Sequence, residues 1–448
     1  MMTIDRHCRR ATTIFQRYGL APFQSILPSN VFTEAATDAG CAPQRSGPLV
    51  PEVVAWLMMY VGLHTTSMTQ GLTQAWGLVR ARCPWLGTTI VSEKAFCQAR
   101  QRLTLGFWRN LWRTLTHRFE DRFASSLLWK NTFRLLAIDG SDVDLPIAPK
   151  VTQCFGQPRN QHGRRHRPQA KLVSLCSVLT GFCLDFKLIG KRFTEHHALR
   201  HLIRHLRRND LVLMDRGFFP YRAIWQIPLR GAHFLLRLSN QHAGHVRRSQ
   251  QVGVNEWIVA FHPTSAVRCK HPDLPSVLSA RLLRYQRPGF RPSWLLTSLT
   301  DTRTHTYGEL VGLYHRRWQI ETIYREWKHG LNIQNLRSHT PVGVIKEIYA
   351  HLILNNLVRW VMVDAARSTE LHAIDLSYLT ALTHVKAALI AMNRAHPQEI
   401  IQLYQHLLSN VRSARIRKRP GRSFLRRFDK PRSRGYGKTQ QPARLCQT

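Results

Sequence analysis

Acidic residues are scarce in this chain. Only 26 Asp and Glu stand against 65 Lys and Arg, which leaves a formal charge of +39 and an isoelectric point near 11.2. Such an excess costs stability through self-repulsion unless a polyanion neutralises it. Nucleic acid is therefore the first expected partner and an anionic membrane the second. Long apolar runs are missing too. The longest, around 53–63 and 352–363, are too short or are interrupted by Asn and Arg, so no membrane span is expected. The nine Cys are scattered and form no C-x-x-C pair, which argues against a zinc ribbon and against a disulfide framework. Free thiols suit a reducing cytoplasm. No apolar core follows MMTIDRHCRR, so the start does not read as a signal peptide. There is no internal repeat.

What remains is a globular chain. At 448 residues and 44% apolar content it can bury several cores, and roughly two to four domains are expected. Ribosomal and nucleoid proteins share the charge but rarely the length and apolar content. Residues 1–130 read mostly as helices, with Pro51 at a helix start and a long amphipathic helix over 107–128. Arg80, Arg82, Lys94, Arg100 and Arg102 are candidate phosphate contacts there. From Thr132 the pattern changes to short apolar runs bounded by Gly, Asp and Asn: FRLLAID, 172–179, 182–189, 211–214 and 233–238, with a helix over 194–208. This order suits a mixed α/β sheet. Residues 240–293 are polar and uneven with β-like pieces, and 294–299 returns to a strand pattern. Helices follow to about 408. The tail over 409–448 is dense in Lys and Arg, lacks periodicity, and reads as a disordered basic arm.

The stretch 307–331, YGELVGLYHRRWQIETIYREWKHGL, contains no Pro and is expected to form one helix. At about 100° per residue, Leu313, Ile320, Ile323, Trp327 and Leu331 make one apolar stripe. Tyr314, Arg317, Glu321 and Lys328 share the edge beside it. A carboxylate flanked by two cations suits a site that gathers metal ions and phosphates, although a solvated helix face with local ion pairs would look the same. Upstream, Asp139 closes the apolar run FRLLAI in Asp-Gly-Ser, and Asp215 closes LVLM in Asp-Arg-Gly-Phe. A carboxylate just past a buried strand lies where ligands collect in α/β folds, while a plain turn Asp is the commoner use of such a residue.

The spacing Tyr-x2-Arg-x3-Glu-x6-Lys, with IDGSDVDLP, MDRGF and LRSHTP in order around it, resembles the insertion-sequence-4 family of bacterial DDE transposases over about 30–365. The resemblance implies a ribonuclease-H-like catalytic core over 131–239 and 294–408, split by a β-rich insertion over 240–293. It also implies that the helical residues 1–130 form a DNA-binding domain. Asp139, Asp215 and Glu321 would be the catalytic carboxylates, holding two Mg²⁺ or Mn²⁺ for phosphoryl transfer. Tyr314, Arg317 and Lys328 would hold phosphates, and Trp318 could stack a base or simply pack. Arg164, Arg165, Arg216 and Arg337 complete the expected DNA contacts. The implied partners are the terminal inverted repeats of the element and target DNA, bound by a homodimer in the bacterial cytoplasm, nucleoid-associated when bound. A catalytically inactive DNA-binding regulator and a non-joining nuclease of the same fold are the competing readings. Asp142 and Asp144 rival Asp139 but are expected in a loop past the strand. Glu326 lies about 140° around the helix from Glu321 and is a poor substitute ligand. His197, His201 and His205 recur every four residues after Glu195, a possible zinc-binding face. Without H-E-x-x-H and among several Arg, they read as a solvated basic surface.

Overall fold

The computed structural model describes residues 23–41, 48–62, 67–82, 90–160, 163–164, 167–218, 221–240, 243, 247–262, 265–270, 272, 274–286, 292–367 and 369–416. The chain divides into a unit of residues 1–415 and one of 416–448. Almost all of the second, and with it most of the expected basic tail, lies outside the described residues.

Among the described residues five helices come first: α1 (Ser29–Asp38), α2 (Pro51–Gly62), α3 (Met68–Arg82), α4 (Glu93–Arg102) and α5 (Leu105–Phe123). Side chains start two of them, since Ser92 accepts from the Ala95 N–H and Thr104 from the Phe107 N–H. α5 buries Phe107, Trp108, Leu111, Leu115 and Phe119 at helical spacing. Glu52 on α2 is buried and accepts a hydrogen bond from Ser29 Oγ at 3.0 Å. Burial outweighs that bond and pushes its carboxyl up from 4.5 to about 7. Between those values the folded chain keeps a proton that the unfolded chain has lost, so stability falls as pH rises through this window. At pH 8 the cost is about 3 kcal/mol. Glu52→Gln is therefore expected to raise the thermal midpoint at pH 8, with the gain shrinking as pH drops toward 5. A gain of equal size at both pH values would show that Glu52 is not the titrating group.

The strands form a mixed ten-stranded sheet. They are β1 (Leu128–Trp129), β2 (Phe133–Asp144), β5 (Gln169–Ser177), β6 (Cys183–Gly190), β7 (Asp210–Met214), β8 (His233–Leu238), β9 (Arg247–Gly253), β10 (Glu256–Phe261), β11 (Leu278–Tyr285) and β12 (Ser293–Thr297); β3 (Arg159–Asn160) and β4 (Gly163–Arg164) pair separately. The order is β6-β5-β2-β7-β8-β12-β11-β10-β9, with β1 on β2. β6, β5 and β2 run antiparallel, and β7 and β8 run parallel to β2. The expected β pieces within 240–293 extend this same sheet through β11 and β12.

Helices α6 (Pro149–Phe155), α7 (Glu195–Ile203), α8 (Tyr221–Gln226) and α9 (Ser265–Lys270) connect the strands, and α10 (Tyr307–His315), α11 (Gln319–His329), α12 (Pro341–Ala366), α13 (Tyr378–Arg394) and α14 (Ile400–Ser413) complete the fold. α12 is buried on nearly every side, as its apolar sequence requires. It also covers the sheet edge: Asn356 donates to the Cys183 carbonyl at 2.8 Å and accepts from its N–H at 2.9 Å. Trp112 on α5 donates to the Leu184 carbonyl on the same edge strand. α14 continues to Ser413, past the expected start of the tail at 409, because Leu407, Leu408 and Val411 are buried. Among the described residues no helix is long and apolar enough to cross a membrane.

Two expectations about the site elements are corrected. Gly140 and Ser141 do not break the first strand. β2 runs on to Asp144, because β5 pairs with it from Leu136↔Ser177 to Asp144↔Gln169. Asp142 and Asp144 thus lie in the strand and not in a loop. The helix expected over 307–331 is divided: α10 and α11 flank a tight 3₁₀ turn, Arg316–Trp318. That turn winds at about three residues per turn, and within it the Arg317 side chain enters the interior.

Candidate active site

Register brings the first two carboxylates together. β7 lies parallel to β2 and their pairing ends at Ile138↔Met214. Asp139 and Asp215 are the next residue on each strand, so they stand side by side where β7 stops. Each carboxylate is fixed locally: Asp139 Oδ1 accepts from the Gly140 N–H and Asp215 Oδ1 from the Arg216 N–H, both at 2.8 Å. α11 supplies the third. Arg317 is only 4% exposed, and its Nη1 donates to Asp139 Oδ2 at 3.1 Å while Nη2 donates to Glu321 Oε1 at 3.0 Å. Tyr324 anchors α11 on the sheet. Its buried hydroxyl donates to the Asp139 carbonyl at 2.6 Å, accepts from the Ser174 N–H at 3.1 Å and lies 2.8 Å from Ser174 Oγ. Tyr324→Phe should lower stability by about 1–3 kcal/mol, since polar groups are stranded in a dry place; a thermal midpoint unchanged from wild type would remove Tyr324 from this role.

The cluster is electrostatically tense. Burial chiefly, with the negative charges of Asp215 and Glu321 behind it, pushes the Asp139 carboxyl up to about 6, against the pull of the Gly140 N–H and Arg317. Beside it, Lys171 Nζ is 2.7 Å from Glu195 Oε1. A Cβ on Gly140 would come within 2.8 Å of that oxygen, so Glu195 packs directly against β2 just after Asp139. Asp142 is paired with Lys191 at 2.8 Å and Asp144 accepts from Gln169 at 2.5 Å. Neither joins the cluster.

The family model described as a transposase DDE domain matches residues 130–357. The chain belongs to the DDE transposase family. It is 27% identical over 432 residues to the transposase InsG for insertion sequence element IS4 of Escherichia coli (strain K12), covering 94% of this chain and 95% of that relative. This puts it in the insertion-sequence-4 group of DDE transposases. A solved structure, the piggyBac transposase synaptic complex with hairpin DNA, aligns at 11% identity with a TM-score of 0.40, covering 92% of this chain and 87% of that one.

For a DDE transposase, the donor set fits hard divalent cations: three carboxylates from three elements, with one buried guanidinium between two of them. The expected DNA contacts fare unevenly. Tyr314 is 3% exposed and its hydroxyl donates to the Met214 carbonyl at 3.4 Å, so burial leaves it no face for a phosphate. Arg317 spends two nitrogens on Asp139 and Glu321; its buried Nε has no hydrogen-bond partner among the described residues. Arg337 is half-buried; its backbone N–H donates to Glu347 Oε2 at 2.7 Å and its Nη1 to the Val61 carbonyl at 3.4 Å, which ties it to α12 and α2. Arg100 is likewise paired with Glu347 at 3.0 Å. Trp318 is 50% exposed with the Arg317 guanidinium 5.2 Å from its ring centre. Lys328 is half-buried and Arg216 exposed. Arg165 and the side chain of Arg164 lie outside the described residues.

Sequence reasoning missed Tyr324, Lys171 and Glu195. Tyr324 borders the apolar stripe of its helix, and only its three-way hydrogen bonding distinguishes it from core. Lys171 and Glu195 meet across 24 residues and carry no local signature.

Proposed function

We propose that this DDE transposase cleaves DNA at the ends of its insertion sequence and joins those ends to target DNA through one centre built by Asp139, Asp215 and Glu321. The observation that carries the reading is the Arg317 bridge between Asp139 and Glu321 at the point where Asp215 leaves the parallel strand. The three carboxylates would hold two Mg²⁺ or Mn²⁺ ions. When bound, such ions supply Lewis-acid activation of a water or a DNA 3′-hydroxyl and stabilise the leaving oxygen of an in-line displacement. The protein's own part is positioning. Tyr324 and the Gly140 and Arg216 N–H groups fix the orientation of the aspartates. Arg317 balances charge between them and Glu321. Trp318, Lys328 and Arg216 are the accessible contacts for the bound strand, with Arg164 and Arg165 beside them in sequence-based expectation.

The finer architecture follows the same reading. A ribonuclease-H-like core is supported by three antiparallel strands, β6-β5-β2, followed by the parallel β7 and β8. β9 to β11 are the β-rich insertion, α1 to α5 a DNA-binding domain for the element's ends, and the residues after α14 a basic arm on DNA phosphates. The active form on paired ends is a homodimer in the cytoplasm, nucleoid-associated when bound. The test is a labelled duplex carrying the terminal repeat, incubated with the protein, a target plasmid and Mg²⁺ or Mn²⁺. Cleaved ends and joined products, both abolished by chelation, are expected. Cutting without joining would favour a nuclease, and binding with neither a regulator.

A further inference from the structure

A second cluster of ligating groups lies away from the carboxylate centre. Asp185 on β6 is 8% exposed, and its Oδ2 is 3.2 Å from His201 Nε2 and 2.9 Å from His205 Nε2. All three atoms lie within 4.8 Å of one another. His201 sits in the last turn of α7 and His205 just beyond it, so the spacing of four residues presents both rings to one point. Asp185 Oδ1 is held by the Phe186 N–H at 2.8 Å, which fixes the carboxylate plane. Oδ2 is the odd atom. It is buried, two ring nitrogens crowd it, and yet neither N–H is aligned to donate: it has no hydrogen-bond partner among the described residues.

We propose that Asp185, His201 and His205 form a binding site for one borderline divalent ion of the Zn²⁺ class, separate from the catalytic carboxylates. Around a tetrahedral Zn²⁺ with bonds of about 2.0–2.2 Å, ligand atoms stand roughly 3.3 Å apart. The observed 2.9 and 3.2 Å need only a few tenths of an ångström of opening. Two imidazoles and one carboxylate select Zn²⁺ or Co²⁺ over Mg²⁺, whereas three carboxylates select the reverse. The half-exposed rings leave a path for the ion and a position for water. The ion would clip the end of α7 to the edge strand β6. The other end of α7 carries Glu195, against Lys171 and Gly140, so the clip would steady one wall of the carboxylate centre.

The test uses full-length protein freed of metal, dialysed against Zn²⁺ with millimolar Mg²⁺ present to occupy the hard site. Wild type is expected to take up one Zn²⁺ per chain, and Co²⁺ in its place to give the intense visible bands of a four-coordinate nitrogen-and-oxygen site. His201→Gln and Asp185→Asn should each weaken uptake at least about 100-fold, and Zn²⁺ should raise the thermal midpoint of wild type but not of either variant. His205→Asn, the most exposed ligand, serves if a variant fails to fold. Equal Zn²⁺ uptake by wild type and the His variants overturns the proposal. So does uptake that is lost in Asp139→Asn instead. Because the readout is metal uptake, it is independent of whether DNA is cut.

Discussion

Glu321→Gln, Asp139→Asn and Asp215→Asn should each abolish end cleavage and end joining together, by roughly a hundredfold or more. Each change keeps the side-chain shape and removes one unit of negative charge from the cation site. The two activities fall as one because a single centre serves both. Binding to end DNA should be unchanged, since no basic surface is touched. Asp142→Asn is the matched control: its carboxylate pairs with Lys191, outside the cluster, and cutting should persist. The assay follows a labelled terminal-repeat duplex with Mg²⁺ or Mn²⁺, with a binding titration in parallel. Cutting at the wild-type rate by Glu321→Gln would remove α11 from the chemistry. Loss in Asp142→Asn with survival in Asp139→Asn would move the first ligand three residues along β2.

The second large effect concerns stability. Arg359 in the middle of α12 is fully buried, is ion-paired with Glu326 of α11, and stacks over the Tyr378 ring at 4.5 Å. Burial alone raises the Glu326 carboxyl, so without its partner this anion has no good place. Arg359→Met should cost about 3–5 kcal/mol, because one partner of a buried pair is stranded. Arg359→Met with Glu326→Gln should recover much of that loss, since no charge is then left inside. Gly181→Ala probes the same guanidinium. Its Cβ would lie 2.5 Å from Arg359 Cζ, at a φ of +73° that already favours glycine. Thermal melts at one pH settle the matter: a double variant less stable than Arg359→Met would contradict the account.

These two regions show what a sequence makes legible. Local patterns alone leave Asp139, Asp215 and Glu321 open to plainer readings; the family resemblance, carried by short apolar runs ending in an acid and a helix with a fixed spacing, is what implies that they act as one set. The strands and most helices follow from the same periodicities. What stays hidden depends on partners distant in sequence. β2 passes through Gly140 because β5 pairs beyond the point where β7 stops, and no local signal distinguishes those two neighbours. Tyr314 and Arg337 look like phosphate contacts on charge and motif alone; only the packed structure reveals the Met214 and Val61 carbonyls to which their side chains donate. Glu326 is rejected as a ligand from its angle on the helix, but Arg359, which explains its presence, lies 33 residues away. His201 and His205 read as a solvated face because Asp185, the group they surround, sits on another element.

The central claim is that one divalent-cation centre lies between the ends of β7 and α11. The most direct measurement replaces Mg²⁺ by Fe²⁺ and adds ascorbate and peroxide, so that hydroxyl radicals cut the protein backbone next to the bound ion. The account predicts cuts around residues 139, 215 and 321, suppressed by excess Mg²⁺ and lost in Asp139→Asn. Cuts confined to the neighbourhood of 185 and 201–205, with none at the three carboxylates, would contradict it.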